Sequence, residues 1–406
     1  MTKKTTTTTT IAQSPAQELR EELLEHLDRN SVDILMIVFS VCSTLMFKSS
    51  TVIGLMILGE PGVGKTTLLR CLQHLPMALW KSKITAASVA PAKENADPAD
   101  ALVNQIPEKC LMIPEMGPIF SDKKIFPVIA SLMDGNGYSV ASGNGLFGAT
   151  GSIRWNFIGC KPNLSSADLK EMGMVGPRFT SVRFPVVNET DTENAERLAQ
   201  LYLNSNYNET LQKVGEILDK HYTIMQRTSP NGVIWNRNLD SKDAIFKIAT
   251  LSKLIARSRA HVLRVKKRIS EIPKPEDNKR LFSQLMDTTR GYASIDLRNF
   301  IQMSDLTVPL RIALDSMPYD RSELFYDLID CDGTITSEEF ISRRFKRING
   351  KTSPDFCRRR FDDMIACGVC TEIKVKNNKK AKDFKAITLN SPWTWIVEYY
   401  KMLTAA

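Results

Sequence analysis

The segment GEPGVGKT, residues 59–66, constrains the fold of this chain more than any other feature. It fits the pattern G-x-x-x-x-G-K-[ST] at every position. The apolar run VIGLMIL precedes it and the helical pattern TTLLRCLQHL follows it. In a strand–loop–helix unit of this kind, glycines let backbone N–H groups turn toward a phosphate, and the helix N-terminus adds its dipole. The sequence therefore predicts a phosphate-binding loop, rather than a glycine-rich turn that contains a lysine by chance.

This loop also predicts the ligands of a nucleoside triphosphate and its metal. Lys65 is expected to reach the β and γ phosphates of ATP, and the Thr66 hydroxyl is expected to coordinate Mg²⁺. The predicted ATP-binding residues of the loop are Gly59, Glu60, Pro61, Gly62, Val63, Gly64, Lys65, Thr66 and Thr67.

A second segment, CLMIPEMGP, places the carboxylate of Glu115 directly after an apolar strand pattern. A carboxylate in this position can act as a general base or orient the attacking water. The preceding position, where an aspartate usually holds the metal, is Pro114, which has neither a ligand oxygen nor a backbone N–H. The metal would then depend on Thr66, the phosphates and a bridging water. The sequence favours slow hydrolysis over nucleotide binding alone, and both interpretations stay open.

Two further segments supply polar residues at the ends of predicted strands. The segment YSVASGNGLFGATGSIRWNFIGCKPN alternates apolar residues around Gly-Asn-Gly, which predicts a β-hairpin followed by a core strand ending at Cys160. After that strand, Lys161 or Asn163 can contact the γ phosphate. In GMVGPRF, Arg178 precedes the next predicted strand. An arginine there is suited to reach the nucleotide of a neighbouring subunit as a finger supplied in trans, although a lone arginine is usually a surface charge.

The order of these features resembles the AAA+ ATPases, and within them the minichromosome maintenance (MCM) helicases and their relatives in viruses, plasmids and other mobile elements. The residues that carry the resemblance are GEPGVGKT, LMIPEM, the hairpin segment and VGPRF. The resemblance covers roughly residues 32–318 and is most specific in the phosphate-binding loop. It implies a homo-oligomeric ring, a hexamer, in which Lys65, Thr66 and Glu115 of one subunit and Arg178 of the next share one ATP.

The resemblance extends into a helical region. The stretch DNKRLFSQLMDTTRGYASIDLRNFIQMSDL looks like the lid of those helicases, in which an arginine before an apolar helix contacts the nucleotide. That arginine falls on Arg280, with Arg290 as the alternative. Upstream, apolar spacings of three and four predict helices from Asp191 to Arg268. Their basic end, Arg257 to Arg268, is interpreted as a solvated helix face in preference to a DNA contact.

Three features depart from the helicase pattern. The acidic pair is reduced to Glu115, which argues against fast hydrolysis of ATP. The hairpin tip, residues 142–145, lacks the basic residue that such helicases present to DNA. The segment from Thr85 to Cys110 is short for their additional pore hairpin. The last two departures argue against processive unwinding of DNA.

The net charge of +9 is concentrated near the C-terminus. Residues 340–385 contain fourteen Lys and Arg against five Asp and Glu, and the rest of the chain is neutral. A localised excess of positive charge favours an acidic partner, most simply the phosphates of DNA.

The same region has the pattern of a winged helix, with three helices followed by two strands around a basic turn. In such a module the third helix enters the major groove, or the module serves protein contacts only. The segment IDCDGTITSEEF also resembles a calcium-binding loop, but Leu328 occupies its first ligand position, which favours the winged helix. The predicted DNA-binding residues are Arg358, Arg359 and Arg360 of the third helix and Lys376, Lys379 and Lys380 of the turn.

Together these patterns predict an α/β P-loop AAA+ core at residues 21–187, an α-helical lid at 188–318 and a C-terminal winged-helix domain at 319–406. The last is closed by the apolar-faced helix SPWTWIVEYYKM. Residues 1–20 are predicted to be a disordered tail. The uncharged run 34–47 is shorter than the ~20 residues of a membrane span, so we expect a buried helix and no membrane partner. Eight scattered cysteines favour reduced thiols and a cytoplasmic location.

The sequence thus predicts an ATP-dependent, DNA-associated motor, either a ring-forming helicase or a replication initiator of a mobile element or virus. Two alternatives stay open. One is a nucleotide-switched DNA-binding regulator with little ATP turnover, which Pro114 and the plain hairpin tip favour. The other is a remodeller of protein complexes whose winged helix binds protein.

Overall fold

A computed structural model describes residues 13–91, 97–122, 124–142, 145–164, 168, 172, 178–185, 192–193, 195–196, 199, 207–266, 268–348, 353–375 and 384–405. Several sequence predictions lie outside the described residues. These are the tail residues 1–12, the hairpin-tip residues 143–144, and the wing lysines Lys376, Lys379 and Lys380.

The first half of the chain forms a five-stranded parallel sheet flanked by helices, which confirms the predicted α/β core. The strand order is β2-β3-β6-β1-β7 and every neighbouring pair is parallel. In chain order the elements are α1 (Pro15–Leu24), α2 (Arg29–Ser43), β1 (Ile53–Leu58), α3 (Lys65–Arg70), β2 (Ala78–Trp80), α4 (Ala86–Val89), α5 (Leu102–Gln105), β3 (Cys110–Ile113), α6 (Gly117–Ser121), α7 (Ile125–Leu132), β4 (Gly137–Ser142), β5 (Gly145–Thr150), β6 (Asn156–Lys161) and β7 (Phe179–Arg183).

The sheet has two functionally distinct edges because its strands run the same way. At the carboxyl edge, Leu58 is in register with Lys161 of β6 and Arg183 of β7. At the amino edge, Ile53 is in register with Asn156 and Gly54 with Phe179. β1 is buried along its whole length, which explains its unbroken apolar sequence.

The predicted hairpin is present between α7 and β6. Its strands β4 and β5 pair antiparallel from Gly137 opposite Thr150 to Ser142 opposite Gly145. The chain then enters β6, which ends at Lys161, one residue beyond the predicted end.

Helix α2 is a core helix, as its uncharged sequence predicts. The stretch Arg29–Met46 has the length and hydropathy of a membrane span, but 78% of it is buried within the protein. Its C-terminal end is tied to the sheet by Asn156, whose Nδ2 donates to Val41 O at 2.8 Å and whose Oδ1 accepts from the Ile53 amide at 3.0 Å. Burial within the protein, rather than in a lipid phase, accounts for the apolar composition.

The predicted tail boundary at residue 20 is wrong, because α1 begins at Pro15. Ser14 caps the helix, and Gln17 completes a capping box with it. The apolar side chains of Leu19 and Leu23 are buried. These two signals lie in the sequence SPAQELREELL and place a helix earlier than composition indicates.

The next region is mainly helical, but the helix predicted through Arg268 ends at Arg259. Arg321 donates to the backbone carbonyls of Ser258 and Ala260, the latter at 2.9 Å, and so caps the helix end. The chain then forms a small antiparallel hairpin. The elements of this region are α8 (Tyr207–Thr228), α9 (Lys242–Arg259), β8 (Arg264–Val265), β9 (Arg268–Ile269), α10 (Lys279–Ile295) and α11 (Thr307–Asp315).

The C-terminal region contains the three predicted helices and two predicted strands, and it adds a short strand that the sequence analysis missed. The strands form an antiparallel sheet in the order β10-β12-β11. The terminal helix packs back as predicted, and Trp393 before it donates from Nε1 to Thr250 O of α9 at 3.1 Å. The elements are α12 (Tyr319–Asp330), β10 (Thr334–Thr336), α13 (Ser337–Ile348), α14 (Pro354–Ala366), β11 (Cys370–Val375), β12 (Phe384–Leu389) and α15 (Trp395–Ala405).

One continuous apolar cluster joins one face of the large sheet to the helices that follow it and to the C-terminal region. It includes Ile57 of β1, Leu254 of α9 and Phe361 of α14. A second cluster fills the other face of the sheet, around Phe157 and Phe179. The larger cluster therefore fixes the C-terminal region against the lid helices.

The close approach of α10 to α2 yields a stability prediction. A Cβ atom at Gly291 of α10 would lie 2.0 Å from Ser40 O of α2. Alanine is favoured over glycine within a helix by about 1 kcal/mol, whereas overpacking of a well-packed core costs about 1–3 kcal/mol. We expect Gly291→Ala to lower the free energy of unfolding, measured by urea denaturation.

Gly117→Ala is the matched control, because the nearest atom to its added Cβ is Glu115 Oε1 at 3.8 Å. This variant should be at least as stable as the wild type. A Gly291→Ala protein as stable as the wild type would contradict the helix contact.

Candidate functional site

The phosphate-binding loop joins β1 to α3 at the carboxyl edge, as predicted. Gly62 and Gly64 both have φ +89°, a left-handed conformation that favours glycine. No atom lies within 4 Å of a Cβ built at either position, so the space beside the loop is open. Both glycines are therefore required by backbone conformation, and the loop has room for a phosphate group.

Lys65 lies at the start of α3 with its ammonium inside the loop. The side chain is only 9% exposed, and Nζ donates to Gly59 O at 2.7 Å and Glu60 O at 2.6 Å. Burial lowers the pKa of Lys65 from its usual value. Thr66 and Thr67 follow in the first helical turn and are half-buried. The loop fits a polyphosphate with its cation at Thr66.

Glu115 is brought to the same edge by the turn after β3. The Met116 amide donates to Cys160 O of β6 at 2.9 Å, which holds this turn over the end of the sheet. Since β6 lies between β3 and β1, Glu115 is two strand spacings, about 10 Å, from the strand of the phosphate loop. Its side chain is exposed, and the preceding Pro114 is half-buried. The structure thus places an exposed carboxylate at the same edge as the loop, directly after a proline.

The two candidate γ-phosphate contacts differ in their surroundings. Lys161 Nζ pairs with Asp168 at 3.3 Å and lies 5.0 Å from the centre of the Phe120 ring. Asn163 Oδ1 accepts from Arg183 Nη1 at 3.1 Å and from the Leu164 amide at 2.9 Å. The Lys161 ammonium is thus paired with a carboxylate, whereas the orientation of the Asn163 amide is fixed by the hydrogen bonds that its oxygen accepts.

Arg183 is a residue of this edge that the sequence analysis missed. It ends β7 beside Leu58, its guanidinium lies 5.2 Å from the Tyr319 ring, and its side chain is 9% exposed. Burial lowers its pKa, and Nε and Nη2 have no hydrogen-bond partner among the described residues. The sequence signal that could have identified Arg183 is its position as a charged residue at the carboxyl end of the strand FTSVR.

Arg178 and Arg280 meet at the opposite edge of the sheet. Arg178 Nη2 donates to Asp134 Oδ2 at 3.0 Å, and Arg280 Nη2 donates to Asp134 Oδ1 at 2.7 Å. Asp134 thus holds both guanidinium groups in one cluster at this edge. Asp134, which follows α7, was not predicted, and nothing in the local sequence marks it.

The amino edge is far from the phosphate loop of the same chain. Arg178 O would lie 2.7 Å from a Cβ built at Gly54, whereas the loop begins at Gly59. These glycines are five residues apart in and just after β1, which corresponds to about 17 Å. Neither Arg178 nor Arg280 is therefore adjacent to the phosphates that its own loop would bind.

Helix α10 holds Arg280 in this position. Gln284, one turn further on, donates from Nε2 to Arg178 O at 2.9 Å and to Val52 O at 3.3 Å. The alternative arginine, Arg290, instead pairs with Asp287 at 2.9 Å and lies 5.4 Å from the Trp235 ring. Of the two lid arginines, Arg280 is the one beside Arg178.

Much of the C-terminal positive charge is neutralised inside the fold. Residues 319–339, just before the basic region, carry seven acidic residues and one basic residue. Arginines of α13 pair with them, as in Arg343–Asp330 at 3.2 Å and Arg347–Asp327. The charge count alone therefore overstates the number of cations available to a partner.

The three predicted arginines of α14 separate into two groups. Arg358 is 64% exposed and pairs with Asp355 at 3.1 Å, and Arg359 is exposed. Arg360 pairs with Asp320 and, at 3.0 Å, with Asp363. Arg358 and Arg359 thus face solvent, whereas Arg360 ties α14 to α12.

The segment that resembles a calcium loop is occupied by protein contacts. Glu339 accepts from the Thr336 amide at 2.9 Å and caps α13, and Asp332 pairs with Lys401. Across the described parts of the chain, no group of three or more His, Cys, Asp or Glu side chains is arranged to hold a metal ion.

All eight cysteines have free thiols. Cys367 and Cys370 are both buried, and burial raises the pKa of each thiol.

Neither a scan against protein-family models nor a search of curated proteins finds a match for this chain.

The shared carboxylate of Asp134 can be tested by a double-mutant cycle. We expect Asp134→Asn and Arg280→Ala each to lower stability slightly, because partly exposed ion pairs contribute about 0.2–1 kcal/mol. Their combined effect should be smaller than the sum, since either change removes the same contact. Urea denaturation of the four proteins measures this coupling.

Asp219→Asn provides the control, because Asp219 is exposed on α8 and forms no ion pair with any described residue. Additive effects of Asp134→Asn and Arg280→Ala would contradict the shared contact.

Proposed function

We propose that the protein is an ATP-dependent, DNA-associated motor of the AAA+ class, resembling MCM-type helicases of mobile elements, and that it works as a hexameric ring. The observation that carries this proposal is the division of the nucleotide-site residues between opposite edges of one sheet. Lys65, Glu115 and Asn163 lie at the carboxyl edge, and Arg178 and Arg280 lie at the amino edge. A site assembled from two subunits brings the two sets together.

Within one subunit, the phosphate loop and its lysine bind the triphosphate. Backbone N–H groups around Gly62 and Gly64 surround the phosphates, and Lys65 contributes the compensating charge. The Thr66 hydroxyl would hold Mg²⁺, which neutralises phosphate charge when bound. Glu115 orients a water and accepts its proton, which suits an exposed carboxylate about two strand spacings, roughly 10 Å, from the loop strand.

Asn163 is the proposed contact to the γ phosphate, in preference to Lys161. Because Arg183 and the Leu164 amide bind its oxygen, the amide nitrogen is the group left to donate. The Lys161 ammonium is already engaged by Asp168 and the Phe120 ring. Arg183 is accordingly a positioning residue that sets the orientation of Asn163.

In the ring, Arg178 and Arg280 stabilise the phosphates held by the next subunit. Both guanidinium groups belong to one cluster around Asp134, and guanidinium groups suit phosphate as a ligand. Arginine supplied in trans neutralises charge that develops during phosphoryl transfer. A monomer lacks this contribution, since the two arginines are remote from its own loop.

The C-terminal region supports the DNA contact in this proposal. The proposal that it is a winged helix is supported by its three helices and three-stranded antiparallel sheet, and α14 presents Arg358 and Arg359 to solvent. In this arrangement, the third helix enters the major groove and these arginines contact phosphates or base edges.

A second candidate function is a nucleotide-switched DNA-binding regulator with negligible turnover. Pro114 favours it, because the position before Glu115 supplies no metal ligand. Both candidates share the nucleotide site and the DNA contact, and they differ only in hydrolysis.

ATP turnover separates the two functions. We expect the purified protein to hydrolyse ATP slowly and to hydrolyse it faster when forked duplex DNA is present. Glu115→Gln should lower the ATPase rate by about 10²-fold or more, which is the usual scale for loss of a general base. Nucleotide affinity of this variant, measured by titration calorimetry, should stay within a few-fold of the wild type. Asp122→Asn, at an exposed carboxylate beyond α6, is the control.

A wild-type rate no higher than that of Glu115→Gln would exclude the motor and leave the regulator.

Sharing of one ATP between subunits predicts complementation. Lys65→Ala and Arg178→Ala should each abolish ATPase activity when assayed alone. Mixed subunits should regain activity, because some interfaces then pair an intact loop with an intact arginine. The measurement is ATPase rate against mixing ratio at fixed total protein.

If the rings are shown to exchange subunits and the mixture still has no more ATPase activity than its components, the shared site is contradicted. Mixing two samples of Lys65→Ala, which cannot complement, controls for concentration effects.

A further inference from the structure

The hairpin β8–β9 is a surface element that the proposed function does not use. The sequence predicts a solvated helix face for the run Arg257 to Arg268, but its end contributes to a short two-stranded ribbon of Arg264–Val265 and Arg268–Ile269. We define the basic ribbon as its described residues, Arg264, Val265, Lys266, Arg268 and Ile269. Arg264 pairs with Ile269 and Val265 with Arg268.

One face of the basic ribbon is attached to α14. Because cross-strand partners share a face, Arg264 and Ile269 lie together, and both are half-buried. Arg264 Nη2 donates to Arg359 O at 3.1 Å and to Asp363 Oδ1 at 2.5 Å. The ribbon is therefore fixed to the helix that carries the exposed arginines.

The other face is free. Val265 is 62% exposed, and its partner Arg268 is also exposed. Lys266 occupies the turn with φ +46° and is exposed. Among the described residues no carboxylate pairs with Lys266 or Arg268, in contrast to the arginines of α13. These two cations are thus available to a partner.

We propose that the basic ribbon binds the DNA backbone beside α14, so that Lys266 and Arg268 contact phosphates next to those contacted by Arg358 and Arg359. The chemistry is that of a phosphodiester backbone, because two unpaired cations lie on an element joined by Arg264 to another exposed basic surface. Val265 adds an apolar contact to the sugars. This inference rests on the proposed DNA contact and assigns part of it to the lid rather than to the C-terminal region.

The salt dependence of DNA affinity tests this assignment. Each phosphate contact contributes a slope of about −0.9 to the plot of log affinity against log salt concentration. We expect the double variant Lys266→Ala/Arg268→Ala, as a full-length protein, to reduce the slope by about 2 units. Fluorescence anisotropy with a labelled forked duplex at four salt concentrations provides the measurement, and circular dichroism checks folding.

Two further variants distinguish a local contact from general charge. Lys242→Ala/Lys253→Ala removes two exposed lysines of α9 and changes the net charge equally; its slope should match the wild type. Lys266→Arg/Arg268→Lys keeps both charges and should also keep the slope.

The outcomes of this experiment distinguish failure of the ribbon contact from failure of the whole DNA contact. An unchanged slope in the ribbon variant, or an equal loss in the α9 variant, overturns the ribbon contact while leaving the DNA contact of α14 intact. Wild-type protein with no measurable affinity overturns both the DNA contact and the ribbon assignment.

Discussion

Parallel pairing of β1 with β6 and β7 is the constraint on which the proposed site depends. Parallel strands send all their carboxyl ends to one edge, so residues far apart in the chain meet there. Lys65 follows β1, Glu115 follows β3, and Asn163 follows β6. The same pairing places Arg178, just before β7, at the other edge. A single chain cannot bring both edges to one phosphate, and this is the physical reason for proposing a ring.

The carboxyl edge is also attached to the C-terminal half of the chain. The Arg183 amide donates to Asp315 Oδ2 at 2.8 Å, and Arg311 donates to Arg183 O at 2.7 Å. Arg183 also lies over Tyr319, at the start of α12, while its Nη1 binds Asn163. The proposed γ-phosphate contact and the C-terminal region are thus separated by one buried arginine.

Ion pairing explains how a basic region can be less available than its composition indicates. The acidic residues of α12 and the arginines of α13 are close in sequence and pair across two packed helices, as in Arg344–Glu323. Arg360 is likewise used to join α14 to α12. Arg358 and Arg359 are exposed on α14, next to the basic ribbon. The regional net charge therefore overstates the positive charge that is available to a partner.

The sequence by itself determined the strand–loop–helix conformation of residues 53–70, the hairpin, the buried α2 and most C-terminal elements. These follow from local patterns, namely glycine spacing, apolar periodicity and helix caps. It misplaced the start of α1 and the end of α9, because a capping box was overlooked and the cap at Ala260 comes from distant Arg321. Only the tertiary structure decided that Asp134 joins Arg178 to Arg280, that Arg183 orients Asn163, and that Arg360 is internal. Such contacts link residues separated by up to 146 positions in the sequence. The residues around each partner therefore contain no pattern that predicts the contact.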